Sequence, residues 1–320
     1  MTEDQTKALQ PQRIALIDVA RGLALVAMAI YHFTWDLEYF GWLAPATTFQ
    51  TGWVLFARCI ASSFLILVGI SMVLAHGEAM RWQSFKIRFV QVAGAAALIS
   101  LVTYFAIPGG FIFFGILHAI ALFSVLGLLF LRIPWPLTLI AAALVLLIGN
   151  NLRFEVFNIP ALWWVGLAPI PPQSNDFVPV FPWFATVLIG IALARMGLQF
   201  GIWQRLGTVK MSHPASRPLT FIGRHSLAFY LIHQPILLVS IWLFTSLAGE
   251  PDKTPQFLFH CQNSCLETSS EAFCTTYCSC MVDEMKDKKL FTPFLNGALD
   301  DAQNGTLLQL RDMCVVQQTK

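Results

Sequence analysis

Residues 14–36, IALIDVARGLALVAMAIYHFTWD, form an apolar run long enough to cross a bilayer, yet they carry Asp18, Arg21, His32 and Asp36. On a helix turning about 100° per residue, with Asp18 placed at zero, Arg21 falls at roughly 300°, His32 at roughly 320°, and Asp36 returns to the start. The four ionisable side chains therefore share one stripe of an otherwise aliphatic helix. Such groups at membrane depth are costly, and they face a bundle interior or a wet cavity with a partner. The stripe is read as functional. The simpler alternative is that Asp18 and Arg21 neutralise each other at i, i+3 while His32 and Asp36 sit at the membrane interface.

Composition sets the class. The chain has 320 residues, of which 56% are hydrophobic and 12% charged, with a mean hydropathy of +0.64. Soluble domains carry about 25% charged residues, so an ordinary soluble domain is excluded and an integral membrane protein is expected. The net charge of +2 gives no sign of nucleic-acid binding, because the basic residues are scattered through short loops. Residues 1–13, MTEDQTKALQPQR, are polar. The run after them holds an Asp and an Arg, a poor signal-peptide core, so it is expected to be a retained helix. No internal repeat is visible.

Apolar runs of near-spanning length occur at about 14–34, 53–75, 89–107, 111–131, 134–149, 177–195 and 225–248. The expected fold is all-α: a polytopic membrane bundle of about seven transmembrane helices, with six or eight as alternatives. Residues 1–13 would form a cytoplasmic tail, 14–248 the bundle and 249–320 a small Cys-rich helical tail. Segment 150–176 contains two Trp and four Pro and reads as an interfacial or re-entrant loop with an aromatic anchor.

Basic residues orient the bundle. With the N-terminus in the cytoplasm, that side receives Lys7, Arg13, Arg81, Lys86, Arg88, Arg132, Arg195, Arg205, Lys210, Arg217 and Arg224. The other side has no Lys or Arg in 35–52 or 108–110 and only Arg153 in the long loop. This positive-inside pattern, with seven spans, puts the tail outside the cytoplasm.

Six of the seven cysteines lie in that tail: Cys261, Cys265, Cys274, Cys278, Cys280 and Cys314. An even set in an outside domain suggests disulfides. The pairs Cys261/Cys265 and Cys274/Cys278 each sit on one face of a helix, and Thr268 with Glu271 has capping-box spacing for a helix running to about Lys289. Two antiparallel helices joined Cys261–Cys278 and Cys265–Cys274 would satisfy the spacing, leaving Cys280 for Cys314, one of fifteen possible connectivities. A zinc site is the rival. Nothing in the tail looks catalytic, and it is expected to cap the bundle or bind an envelope partner.

Helical rise places His32 near the outer end of the first helix, Arg58 roughly 8 Å inside the second and His118 roughly 10 Å inside the fourth. His32, Asp36, Arg58, His118 and Asp176 would then converge in an outward-facing cavity. Asp18, Arg21, Arg224 and His225 lie at the cytoplasmic ends, and His233 lies midway along the last helix. His32 with Asp36 at i, i+4 is the arrangement in which a carboxylate orients an imidazole base. Each has an ordinary alternative: an interfacial His32, a helix-packing His118, a snorkelling Arg58, and a kink at His233-Gln234-Pro235.

The run Ile17-Asp18-Val19-Ala20-Arg21-Gly22-Leu23-Ala24, with Tyr31-His32-Phe33-Thr34-Trp35-Asp36-Leu37 behind it, resembles the heparan-α-glucosaminide N-acetyltransferase family, especially its small bacterial members. Gly69-Ile70-Ser71, Gly115-Ile116-Leu117-His118, Phe181-Pro182-Trp183-Phe184, Gly223-Arg224-His225-Ser226-Leu227 and Tyr230-Leu231-Ile232-His233-Gln234-Pro235 extend the resemblance over about residues 13–248. Asp-x-x-Arg-Gly alone also occurs in other membrane acyltransferases. The resemblance implies a helical bundle that moves acetyl from cytoplasmic acetyl-CoA to a sugar amine or hydroxyl across the membrane, without a metal. The animal enzymes carry an Asn at the position of His32 and place their essential His in the following loop. Residues 37–52 here contain no His, so the base falls to His32 by position and chemistry.

The resulting expectation is a membrane acetyltransferase acting on an envelope glycan. Asp36 would orient His32, and Arg58 or His118 would stabilise the oxyanion or hold CoA phosphate. Asp18 and Arg21 would shape the cofactor channel, with Asp176 and His233 as further binding residues. Its partners would be the lipid bilayer, a glycan or other small acceptor, and an envelope protein or second copy through the tail, with no nucleic acid. The rival readings are a proton-coupled transporter and a non-catalytic envelope protein acting through its tail.

Overall fold

The computed structural model describes residues 14–209 and 213–316. The expected N-terminal tail with Lys7 and Arg13, together with Lys210, lies outside the described residues. Among the described residues the structure is helical, and the only extended pairing is an isolated bridge between Phe114 and Phe177.

The apolar runs all become helices. They are α1 (Ala15–Tyr39), α2 (Thr51–His76), α3 (Trp82–Ala106), α4 (Ile116–Gly127) and α5 (Trp135–Asn151), followed by α6 (Val180–Gln199), two short helices α7 (Ile202–Gly207) and α8 (Ser216–Arg224), and α9 (Ser226–Ala248). Five of these, α1, α2, α3, α6 and α9, are long and apolar enough to cross a membrane; α4 with the 3₁₀ turn behind it and α5 are shorter apolar helices. The chain is a multi-pass membrane protein. One expected boundary moves: α3 begins at Trp82, not at 89, because Lys86 and Arg88 interrupt the apolar run without interrupting the helix. Long basic side chains near a helix end reach toward water while their stems stay on apolar surface.

Packing divides the chain differently from hydropathy. One compact unit holds the described residues up to Tyr31 and then Val54–Pro235; the other holds His32–Trp53 and the described residues from Ile236 onward.

In the first unit α6 is the central element, with Ala185, Val187, Leu188, Ile191 and Ala194 wholly buried. A helix apolar on every side is stable only when surrounded. Its neighbours approach at glycines, where a β-carbon would meet backbone: Gly190 lies against Ile66, Gly69 against Val187, and Gly149 against Pro182. Small residues at such seams let helix backbones come close enough for extensive dispersion contact in lipid, where the hydrophobic effect no longer drives association. The long loop forms two 3₁₀ turns, Glu155–Asn158 and Pro160–Val165. Its indoles are tied down, Trp163 donating to the Asn158 carbonyl at 3.0 Å and Trp164 to that of Ala161 at 2.9 Å.

The second unit contains the Cys-rich helices α10 (Thr254–Leu266), α11 (Glu271–Asp287), α12 (Phe291–Leu295) and α13 (Asp301–Val316). Three disulfides join Cys261–Cys278, Cys265–Cys274 and Cys280–Cys314. These take up all six tail thiols, as the helical spacing suggests, and set the zinc rival aside. Met281, Val282, Met285, Leu290, Phe291 and Leu310 form the small core beneath them. The cap of α11 differs from expectation: Ser270, not Thr268, is the N-cap, its hydroxyl accepting the Phe273 amide at 3.4 Å. All three residues of Thr268-Ser269-Ser270 are competent caps, and the chain uses the last. In the same unit Trp42 donates to Thr245 Oγ1 at 2.9 Å and the Gln256 amide nitrogen donates to the Leu43 carbonyl at 2.9 Å, clamping the loop after α1.

So small a core depends on its cross-links. Stabilisation grows with the enclosed loop, and the separations are 34 residues for Cys280–Cys314 and 9 for Cys265–Cys274. Replacing the first pair by alanine should destabilise the tail by about 1 kcal/mol more than replacing the second. Pulse proteolysis of the full chain across a urea series, scored on tail cleavage, measures this ordering.

Candidate functional site

The first turn of α1 places Asp18 inside the bundle, where it is 3% exposed. Its carboxylate accepts from Arg21 Nη1 at 3.2 Å and pairs through its other oxygen with Arg224 Nε at 3.5 Å. Arg21 reaches further, Nη2 donating to Ser71 Oγ at 2.9 Å and Nη1 to the Gly223 carbonyl at 3.5 Å. One guanidinium thus ties α1, α2 and α8 together. The approach of α1 to α8 is possible only because Gly22 faces the Leu219 backbone and Gly223 faces the Asp18 backbone; a β-carbon at either would overlap the other chain.

Beside this cluster lies a cavity of about 260 Å³ whose polar lining is Arg21, Arg88, Gln91, Arg224, His225, Ser226 and Tyr230, the rest being apolar. His225 Nδ1 lies 2.9 Å from the Phe221 carbonyl. Arg88 and Arg224 bring to this cavity guanidinium groups of the planar kind that matches phosphate oxygens, and Arg21, its Nη atoms committed to Asp18, Ser71 and the Gly223 carbonyl, adds positive charge to the lining.

A second polar group stands at the start of α4. His118 Nδ1 accepts the Gly115 amide at 3.2 Å, which puts the proton on Nε2, 3.1 Å from Ser100 Oγ; that hydroxyl donates to the Ile112 carbonyl at 2.7 Å. Both ring nitrogens are engaged. Asp176 Oδ2 accepts the Ile116 amide at 2.7 Å and lies directly against Gly115. The two expected residues do meet, as caps on a helix end whose amides would otherwise be unsatisfied. Burial pushes the Asp176 carboxyl up to about 6, against the opposing pull of the Ile116 amide.

The remaining candidates fall elsewhere. His233 is buried, its Nδ1 2.7 Å from the Tyr230 carbonyl, two residues before Pro235 inside α9. Arg58 is exposed on α2 and makes no hydrogen bond or ion pair among the described residues. His32 and Asp36 belong to the second unit, one turn apart on α1, with His32 half-buried and Asp36 fully buried. Sequence reasoning missed Gln91 and the cavity-lining role of Arg88, which it counted only as a topology charge. It noted Ser71 within Gly69-Ile70-Ser71 but gave it no role. The pairing of Gly22 with Gly223 leaves no signal short of the three-dimensional approach itself.

Because the folded-state pKa of Asp176 is raised, its contribution to stability is present in acid and is lost as pH rises from the ordinary carboxylate range through about 6. Asp176→Asn keeps an oxygen for the Ile116 amide but does not ionise. The unfolding midpoint of the variant, relative to the parent, should therefore rise between about pH 4 and pH 7, as thermal scans of both proteins in one detergent would show.

The catalytic-domain model of heparan-alpha-glucosaminide N-acetyltransferase matches residues 13–235. Neither the curated proteins nor the solved structures contain a match to the chain. The matched segment carries the Asp18–Arg21–Arg224 cluster, the cationic cavity and the capped α4, and it stops where the first packing unit stops, at Pro235. The chain belongs to the heparan-α-glucosaminide N-acetyltransferase family.

Proposed function

We propose that the protein transfers acetyl from acetyl-CoA to an amine or hydroxyl of an envelope glycan. The observation that carries this reading is the cavity lined by Arg21, Arg88 and Arg224 within the family-matched segment. Acetyl-CoA joins several phosphates to a slender apolar arm, and the cavity offers cations beside apolar wall. At about 260 Å³ it takes one end of such a molecule rather than the whole of it. Asp18 holds two of the three guanidinium groups in place, so the donor site is shaped before the donor arrives. The positive-inside pattern supports a cytoplasmic orientation of this end, which suits a donor made in the cytoplasm.

His32 is the group we assign as base, with Asp36 orienting it from the next turn of α1. In this scheme the neutral imidazole takes a proton from the acceptor as its nitrogen or oxygen attacks the thioester carbonyl. The carbon–sulfur bond then breaks, and the proton passes from the imidazolium to the departing CoA thiolate. His118, with both ring nitrogens already engaged in capping α4, is given a positioning role, and the base assignment stays with His32.

Acetyl transfer from labelled acetyl-CoA to a panel of amino sugars and glycans, with the protein in lipid, tests this. His32→Ala should abolish transfer while acetyl-CoA still binds; full activity in that variant would remove His32 from the chemistry. Arg224→Gln should weaken acetyl-CoA binding about tenfold or more, the size of a charged hydrogen bond, with little change in acceptor preference. No acetyl-CoA binding at all would favour the transporter reading.

A further inference from the structure

A second cavity lies outside the family-matched segment, in the second unit. It measures about 460 Å³ and is lined by Lys253, Lys286 and Lys289, by Glu250 and Asp252, and by Phe291, Thr292 and Asn296 among others. That volume is in the range of about 300–1,000 Å³ typical of sites for small ligands. We propose that this cleft holds the phosphate headgroup of an anionic phospholipid.

Its charges are arranged for one anion. Lys253 pairs with Glu250 at 2.9 Å, and Asp252 accepts both the amide and the hydroxyl of Thr254 while lying 3.9 Å from Lys286. Lys286 also stands 5.4 Å over the face of Phe291. Three lysines against two carboxylates leave one positive charge, the complement of a phosphodiester. Lys289 supplies it, with no ion pair among the described residues.

Lys289 is also where the backbone departs from its ordinary preference. Its φ is 57°, in the left-handed region, and it ends α11 in a Schellman turn, in which the Lys289 amide donates to the Lys286 carbonyl at 3.0 Å and the Leu290 amide to that of Met285 at 2.8 Å. Glycine is the favoured residue there, and a lysine is conformationally costly. A strained position that keeps a charged side chain in the lining of a cleft points to use of that side chain.

The membrane supplies the ligand. Glu250–Lys253 are separated by one residue from the end, at Ala248, of α9, an apolar helix of membrane-spanning length. Trp42, hydrogen-bonded to Thr245 on the last turns of that helix, is the residue type that settles at headgroup level. The cleft's lining residues thus begin in sequence next to the end of a spanning helix, the level of lipid phosphates, where lysines attract anionic headgroups.

The test is native mass spectrometry of the full chain ejected from nanodiscs holding phosphatidylglycerol and phosphatidylcholine in equal amounts. The parent should retain phosphatidylglycerol preferentially, and Lys289→Gly should lower that retention about fivefold. The same variant should make the tail more resistant to pulse proteolysis, because glycine relieves the left-handed turn; a purely structural lysine would leave lipid retention untouched. Lys286→Gln with Lys289→Gly should remove the preference. Unchanged retention in both variants, equal retention of phosphatidylcholine, or stripping of the lipid by millimolar inorganic phosphate would each overturn the assignment.

Discussion

The bundle's polar end depends on one carboxylate. Asp18 sits among apolar helices with the largely buried Arg21 and the half-exposed Arg224 paired to it, and the Asp18–Arg21 pair is the one shielded from water. Removing one partner of a buried ion pair leaves an uncompensated charge, typically at a cost of about 3–5 kcal/mol. This pairing holds Arg21 and Arg224 beside the cavity, and it requires α1 and α8 to meet closely enough for Gly22 and Gly223 to be glycines. The position of the cationic cavity thus follows from a balance of charge and a restriction on side-chain volume at the same crossing.

At the start of α4 similar residue types do a different task. His118 and Asp176 would attract attention in any sequence as an acid–base pair within a membrane protein. Their contacts are to the Gly115 and Ile116 amides, the donors that a helix start leaves unsatisfied. In lipid such donors have no water to turn to, so a histidine and a carboxylate can be needed for architecture alone. His32 and Asp36 are placed within the continuous helix α1.

Much of this was legible in the chain. Hydropathy located the apolar helices because a bilayer imposes length and composition on each one separately. The cysteine spacing pointed to the disulfide set, since residues three or four apart on two helices can pair in few ways. Events with several comparable local solutions were harder to read, such as the choice among Thr268, Ser269 and Ser270 as cap. So were those that lie between distant segments. Arg88 reads as a topology charge until α3 is seen to extend back to Trp82 and bring it to the cavity. The short helix α8, with Arg217 and Arg224 at either end of an apolar middle, looks like a loop in a hydropathy profile, yet it carries half of the glycine crossing.

The fixed posture of Arg21 has a thermodynamic corollary. A free arginine surrenders considerable rotamer freedom when it grips an anion, and that loss opposes binding. Here the guanidinium is already oriented by Asp18, Ser71 and the Gly223 carbonyl, so the ordering occurs once, during folding, and is not repeated at each encounter with a ligand. Calorimetry of an anionic ligand entering this cavity would accordingly show a smaller entropic penalty than the same ligand captured by mobile surface arginines.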